Sequence, residues 1–421
     1  MRLAMLTLAA AVTAASAVPA GFNDDESKVP PYRLPDPLVL KDGAKVSTAK
    51  DWKSKGRPET FALIEREMFG KAPPRPALSF TVNEAPVPAL DGKVLRKQVS
   101  ISLNGKPDGP AMDLLLYVPA NAQGPVPIVF GLNFNGNQGA DKDPGIRLCR
   151  SWLRDDNKAG IGNNQATEAS RGCEAGRWQI EYAASRGYGV ATICYCDIDP
   201  DFHDSWKNGV HALYPEIEVS RSGSTWGSIA AWAWGMSLGM DYLEKDAAVD
   251  AQRVICQGHS RLGKTALWAG ATDQRFALII SNDSGAGGAA LNKRIFGETV
   301  GRLNASFPHW FCGNFTKYSE KEQDMPFDAH QLIALSAPRP LLITSATGDQ
   351  WADPKGEFLG GLGASPVYKL LGTDGMAAAE QPAPGKLINS TIGYYLRTGP
   401  HDVTREDWGV YLDFADKHLK K

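Results

Sequence analysis

The sequence predicts an α/β protein, a doubly wound, mostly parallel sheet with an antiparallel N-terminal lead-in and helices on both faces, giving a three-layer αβα sandwich. Three observations predict it. From Val126 onward, short apolar runs recur between helical or irregular stretches, which is the grammar of a parallel sheet. Before Val126 the apolar runs alternate with polar residues and are broken by Asp91-Gly92 and Asn104-Gly105, both hairpin signals. At Val254–Trp268, reading V-I-C-Q-G-H-S-R-L-G-K-T-A-L-W, an apolar strand passes through a Gly-flanked Ser directly into a helix-forming segment.

The elements follow in order. Gly21 to about Arg75 is rich in Pro and polar residues, with one helical patch near Thr60–Phe69, and reads as a wrap rather than a domain. The alternating runs Ala77–Val82, Val94–Leu103 and Met112–Val118 form the lead-in. Core strands are expected at Val126–Leu132, Gly189–Cys194, Arg253–Cys256, Ala277–Ser281, Pro340–Ser345 and Ile392–Leu396. Helices are expected at Gly176–Ser185, Trp226–Lys245, Arg261–Gly270 and Glu406–Leu419, the last capped by Thr404 with Asp407 three residues on. No repeat or low-complexity tract interrupts the pattern, so residues 21–421 read as one domain with an N-terminal extension.

Composition limits the function classes. With 421 residues, 43% apolar and 22% charged, the chain has ample material for a core. A formal net charge of −2 supplies no basic surface for a phosphate backbone, so nucleic acid is not an expected partner. Met1-Arg2, the apolar run Leu3–Ala15 and the small-residue patterns Ala15-Ser16-Ala17 and Val18-Pro19-Ala20 predict a secretory signal peptide over residues 1–20, cut after Ala17 or Ala20. Secretion, to a periplasm or beyond, follows. That run is too short to span a bilayer and no later stretch approaches roughly 20 apolar residues, so no membrane association is expected. Of the six cysteines, Cys194 and Cys196 are expected to share one face of a strand end and Cys256 to lie in the strand before Ser260, all three as buried free thiols.

Ser260 is the candidate nucleophile. A Ser on a tight strand-to-helix turn projects its hydroxyl from the sheet edge, and the helix N-terminus behind it offers N–H groups to a developing oxyanion. The plainer alternative is a helix cap, a position Ser favours. The second Gly of the turn, Gly263, comes three residues after Ser260, with Arg261 and Leu262 between. A serine hydroxyl needs a base and the base needs an orienting acid. Among seven histidines, His401 stands in the loop after the last strand and before the C-terminal helix, where the nucleophile–acid–base order puts a base. His259 is expected to project away from the nucleophile, and His418 lies in the terminal helix. Two loops offer the acid: Asp349, just after the strand Pro340–Ser345, and Asp283, after Ala277–Ser281. Loop capping is the alternative role for either. Asp353 reads as a turn residue before Pro354. The acidic run Cys196-Asp197-Ile198-Asp199-Pro200-Asp201 has calcium-binding residue types, although such loops are commonly just solvated.

The segments Gly258-His259-Ser260-Arg261-Leu262-Gly263-Lys264, Asn282-Asp283-Ser284-Gly285-Ala286-Gly287-Gly288, Phe296-Gly297-Glu298-Thr299, Phe307-Pro308-His309-Trp310-Phe311, Gly348-Asp349-Gln350-Trp351-Ala352-Asp353-Pro354 and Gly399-Pro400-His401 together resemble the glucuronoyl esterases of carbohydrate esterase family 15. The resemblance covers the chain from about Val126 to its end. It implies an α/β-hydrolase fold and a serine esterase that cleaves the ester between 4-O-methyl-glucuronic acid of glucuronoxylan and lignin alcohols through an acyl-enzyme. Carried over by position, it makes Ser260 the nucleophile, His401 the base and Arg261 a side-chain oxyanion donor. It makes Lys264 and Glu298 ligands of sugar hydroxyls and Trp351 a wall beside the glucuronate. Fungal relatives have Glu at the position of Asp283 and Cys at that of His259, so their disulfide beside the nucleophile has no counterpart here. Bacterial relatives often place the acid at the Asp349 position. No metal or organic cofactor is expected, and a monomer is. The other readings are an acetyl or feruloyl xylan esterase using the same residues, or a periplasmic sugar-binding protein that has lost catalysis. Arg261, Lys264 and Glu298 favour a uronate, because an acetyl ester needs no such ring-binding set.

Overall fold

A computed structural model describes residues 22–420. The expected signal peptide lies outside those residues. Nine strands form the main sheet: β1 (Phe80–Ala89), β2 (Val94–Ser102), β3 (Ala111–Pro119), β4 (Val126–Asn133), β5 (Gly189–Cys194), β6 (Val249–His259), β7 (Leu278–Asn282), β8 (Leu341–Ala346) and β9 (Ile392–Arg397). Their order across the sheet is β1-β2-β3-β5-β4-β6-β7-β8-β9. β1 to β3 pair antiparallel, β3 meets β5 antiparallel, and every pairing from β5 to β9 is parallel. The chain is thus an α/β-hydrolase fold with the antiparallel lead-in at one edge.

The parallel strands are buried on both faces, which is why they read as continuous apolar runs and why their bounds are legible to within a few residues. On one face α1 (Ser228–Leu243) and α2 (Arg261–Thr272) pack into the larger core with Trp232, Met236 and Leu267. On the other, the C-terminal helix α3 (Arg405–Leu419) buries Trp408, Tyr411 and Phe414 with Trp178 from the helical turns before β5. Its capping box forms as the sequence predicts, with Thr404 and Asp407 exchanging hydrogen bonds.

Four expectations shift. β1 starts at Phe80 and continues through Pro86 and Pro88, because an edge strand can spend residues without an N–H on its open side. The helix expected from Gly176 begins only at Ile180. Pro354–Leu370, where no helix is expected from the sequence, is a 17-residue helix despite four glycines and Pro366. Those glycines let it pack closely; a Cβ on Gly360 would sit 2.1 Å from the Ala289 carbonyl oxygen. Cys196 lies in a short helical turn, Tyr195–Ile198, rather than on a strand face with Cys194. All six cysteines are free, and Cys194, Cys196 and Cys256 are buried.

Candidate active site

β6 delivers the chain to Ser260, and α2 carries it away. The turn between them requires φ +57° at Ser260, a backbone state costly for a residue with a Cβ and kept only where neighbours over-determine it. Here the Ser260 N–H donates to the Asn282 carbonyl at 2.9 Å. At Gly258 a Cβ would lie 1.9 Å from the Leu262 carbonyl oxygen, so only Gly allows helix and strand to approach this closely. Ser260 occupies the N-cap position, yet its side chain makes no capping hydrogen bond. The cap alternative therefore does not account for it.

His401 hangs on the loop after β9. Arg397 holds that loop by donating to the Pro400 carbonyl at 2.7 Å and the Asp402 carbonyl at 3.1 Å. Gly348 N–H donates to Gly399 O at 2.8 Å and ties the loop to the one carrying Asp349. His401 Nδ1 lies 2.6 Å from Asp349 Oδ2 and 4.0 Å from Asp283 Oδ2. Asp283 is buried, has φ +44°, and neither of its oxygens has a hydrogen-bond partner among the described residues. Burial first, then the charges of Asp349 and Glu357, pushes its carboxyl well above the ordinary range. Two carboxyls crowd one imidazole, and the geometry gives the direct bond to Asp349. No hydrogen bond joins the Ser260 hydroxyl to His401 among the described residues, a contact that often tightens only when substrate binds.

His259 departs from expectation. Instead of pointing away, its ring stands 4.4 Å, centroid to centroid, from that of His401 and bonds through Nδ1 to Asn282. Burial, then the neighbouring His401, depresses its pKa well below normal, so it is a neutral packing surface for the His401 ring.

Two cations project from the first turn of α2. Arg261 is ion-paired with Asp201 and lies 4.9 Å from the Trp310 ring centroid, with Phe134 and Phe307 at 5.6 and 5.7 Å. Its Nε has no partner among the described residues. Asp201, fully buried, also bonds His309 Nε2 at 2.8 Å and accepts from Trp310 Nε1 at 2.7 Å and the Tyr195 hydroxyl at 3.0 Å. Against the upward pull of burial, His309 and Arg261 hold its pKa below the usual carboxylate range. The second cation, Lys264, donates to Glu298 and to the Ser284 carbonyl, both at 2.7 Å. Trp351 Nε1 donates to the other Glu298 oxygen at 3.2 Å. A Cβ on Gly297 would lie 2.3 Å from the Trp351 carbonyl oxygen, and Glu298 N–H donates to that same oxygen at 2.8 Å, so the two loops are locked together.

All the sequence-predicted side chains converge on one cavity of about 410 Å³, lined by Ser260, Arg261, Lys264, Asp283, Glu298, Asp349, Trp351 and His401. A wider recess of about 720 Å³ opens on the other side of Ser260 and His401, bounded by Phe134, Arg154, Lys158 and Arg177. Asp201 and His309 are not legible in the sequence as partners of Arg261; His309 and Trp310 stand there only inside a motif. The acidic run is not one cage. Asp197 accepts from Ser151 and the Asp113 N–H, Asp199 lies 3.6 Å from His211, and Asp201 serves Arg261. Asp353 caps the helix Pro354–Leu370 and bonds Arg294, more than a turn residue.

Residues 181–372 match the family model described as glucuronyl esterase, fungi. Carbohydrate esterase MZ0003, from an unidentified prokaryotic organism, is 55% identical over 405 residues, covering 96% of this chain and 93% of the relative. The chain belongs to the glucuronoyl esterases of carbohydrate esterase family 15. Among solved members, a promiscuous esterase of this family from a marine bacterial metagenome superposes with a TM-score of 0.89 at 55% identity, covering 95% of this chain and all of that one. The glucuronoyl esterase from Solibacter usitatus gives 0.88 at 49%, covering 93% of this chain and all of that one. This glucuronoyl esterase is therefore a carboxylic ester hydrolase, as the resemblance implied.

Proposed function

We propose that this chain hydrolyses the ester linking 4-O-methyl-glucuronic acid of glucuronoxylan to lignin alcohols, with residues 21–421 acting as one exported catalytic domain. The observation that carries the reading is that a strained Ser260, His401 with its Asp349 bond, and the Lys264–Glu298 pair all face one cavity sized for a single sugar ring. His401 accepts the Ser260 proton as the hydroxyl oxygen attacks the ester carbonyl. The oxyanion forms against the Arg261 guanidinium and the N–H groups at the start of α2. His401 then protonates the departing alcohol, and a water, activated by the same imidazole, attacks the acyl-Ser260 and releases the uronate. Asp349 fixes the His401 tautomer and stabilises the imidazolium. Lys264 and Glu298 bind ring hydroxyls, with Trp351 as the wall. A carboxylate and an ammonium already paired to each other present both acceptors and donors in fixed positions, which suits a hydroxylated ring and not an acetyl group.

Comparing hydrolysis of benzyl glucuronate, an acetylated xylan and a feruloyl ester at equal enzyme concentration tests this. Benzyl glucuronate is expected to be turned over fastest. Greater activity on either other ester would replace the uronate reading, and inactivity on all three would point to a sugar-binding protein.

A further inference from the structure

The acidic run after β5 has one member that no basic side chain serves. Asp201 pairs with Arg261 and Asp199 faces His211 at 3.6 Å, but Asp197 meets no basic group within ion-pair distance among the described residues. Its bonds come from neutral donors. Oδ1 accepts from the Ser151 hydroxyl at 2.6 Å and from the Cys149 thiol at 3.5 Å, and Oδ2 accepts the Asp113 N–H at 3.0 Å. Arg147, on the same side, lies 3.5 Å from Asp113 instead. The thiol of Cys194, the last residue of β5, completes a cluster. A carboxylate oxygen of Asp197, Cys149 Sγ and Cys194 Sγ all lie within 4.8 Å of one another. Cys194 is buried and the other two are half-buried, so an ion can reach the cluster from one side.

Two thiols and a carboxylate at this spacing have the make-up of a metal site. Calcium and magnesium take oxygen ligands, whereas a pair of sulfurs with one carboxylate suits zinc. Ligands of a tetrahedral zinc stand about 3.5 to 4 Å apart, given bonds of roughly 2.0 to 2.3 Å, which is inside the spread of this cluster. Cys149 and Asp197 also border a void of about 10 Å³ with polar groups of Gln98, Asp113 and Asn137, room for one water as a fourth ligand. We propose that Cys149, Cys194 and Asp197 hold a structural zinc ion. The ion takes the place of both thiol protons, which leave to solvent, so a dication meets two thiolates and a carboxylate and no electron is transferred. Cys149 belongs to the long, largely irregular connection between β4 and β5, which also carries Arg154 and Lys158 on the wall of the wide recess. The ion pins that connection to the end of β5. It takes no part in ester cleavage, and the inference does not depend on the uronate reading.

The test loads untagged, reduced, EDTA-treated protein with zinc chloride and, separately, with cobalt(II) chloride. One zinc per chain is expected to survive desalting, measured by elemental mass spectrometry. At a hundredfold excess of free zinc over Kd the melting temperature is expected to rise by roughly 2 to 4 °C over the zinc-free protein. The cobalt form is expected to show a thiolate-to-cobalt charge-transfer band, which reads the ligands in the wild type without any substitution. Cys149→Ser and Cys194→Ala are each expected to lose the retained zinc, the temperature shift and the band. Zinc held without a thiolate band, or held equally by both variants, places the ion elsewhere, such as at Asp283, Asp349 and His401, and overturns the proposal. A wild type that retains no zinc overturns it too. Four reactive thiols in place of six in denatured protein that has met no reductant, with Cys149 and Cys194 in one cross-linked peptide, would show a disulfide where the ion is proposed and overturn it likewise.

Discussion

The two walls that flank Ser260 balance their charges differently. On the α2 wall each cation has its own carboxylate: Arg261 has Asp201 and Lys264 has Glu298. On the opposite wall two carboxyls, Asp349 and Asp283, face a single imidazole. A matched wall pairs each charge with its opposite and serves to position groups, whereas a mismatched wall crowds two acids together. A proton belongs on Asp283, which is fully buried and without a bond partner among the described residues, while Asp349 takes the hydrogen bond from His401. The same contrast separates the two ion pairs of the matched wall. Asp201 spends its oxygens on Arg261, His309, Trp310 and Tyr195 behind the site, but Glu298 lines the cavity itself.

Each side of this comparison can be broken separately. The largest effect belongs to the residue between the walls: Ser260→Ala should abolish turnover with an unchanged melting temperature, because it removes the proposed nucleophilic hydroxyl and that side chain makes no capping hydrogen bond. Purified variant retaining more than a trace of activity would place the nucleophile elsewhere. On the matched wall, Arg261→Ala should lower kcat by about a hundred- to a thousandfold with a smaller change in KM, as expected for a donor whose interaction strengthens with the oxyanion. A change confined to KM would make Arg261 a substrate-binding residue only. Asp201→Asn should cost roughly ten- to a hundredfold in kcat, because it weakens a charged hydrogen bond that aims the guanidinium without touching substrate. If KM rises and kcat holds, Asp201 does not act through Arg261.

The smallest effect is that of Asp283, on the mismatched wall. Because the folded state keeps the Asp283 proton that the unfolded chain releases in the ordinary carboxylate range, folded protein binds more protons and stability falls as pH rises above that range. Asp283→Asn, neutral at every pH, should therefore lose less stability than the wild type between about pH 5 and 8. Melting temperatures at the two ends of that window measure it, and parallel losses would mean Asp283 is ionised in the fold.

Much of this arrangement is legible in the sequence, and the exceptions have physical causes. The parallel strands announce themselves because burial on both faces leaves only apolar residues. The helix Pro354–Leu370 is hidden because packing, not propensity, holds its glycines in place. Ser260, Arg261 and Lys264 are legible because one turn of one helix sets their spacing. Asp201 is not, since nothing local links it to Arg261 across 60 positions and only the folded sheet brings them together. The expectation that His259 projects away from the nucleophile fails because β6 turns into α2 there and the Asn282 bond holds the ring against His401.

The account's central claim is that the two acids of His401 are unequal, with Asp349 bonded to the imidazole and Asp283 as its buried, protonated neighbour. Measured kcat on benzyl glucuronate for Asp349→Asn, Asp283→Asn and the double variant tests it most directly. Asp349→Asn should lose on the order of a thousand- to ten-thousandfold, as for loss of an orienting triad carboxylate, Asp283→Asn far less, and the double variant should exceed Asp349→Asn only to the extent that Asp283 substitutes for it. A nearly silent Asp349→Asn beside a crippled Asp283→Asn would contradict the assignment.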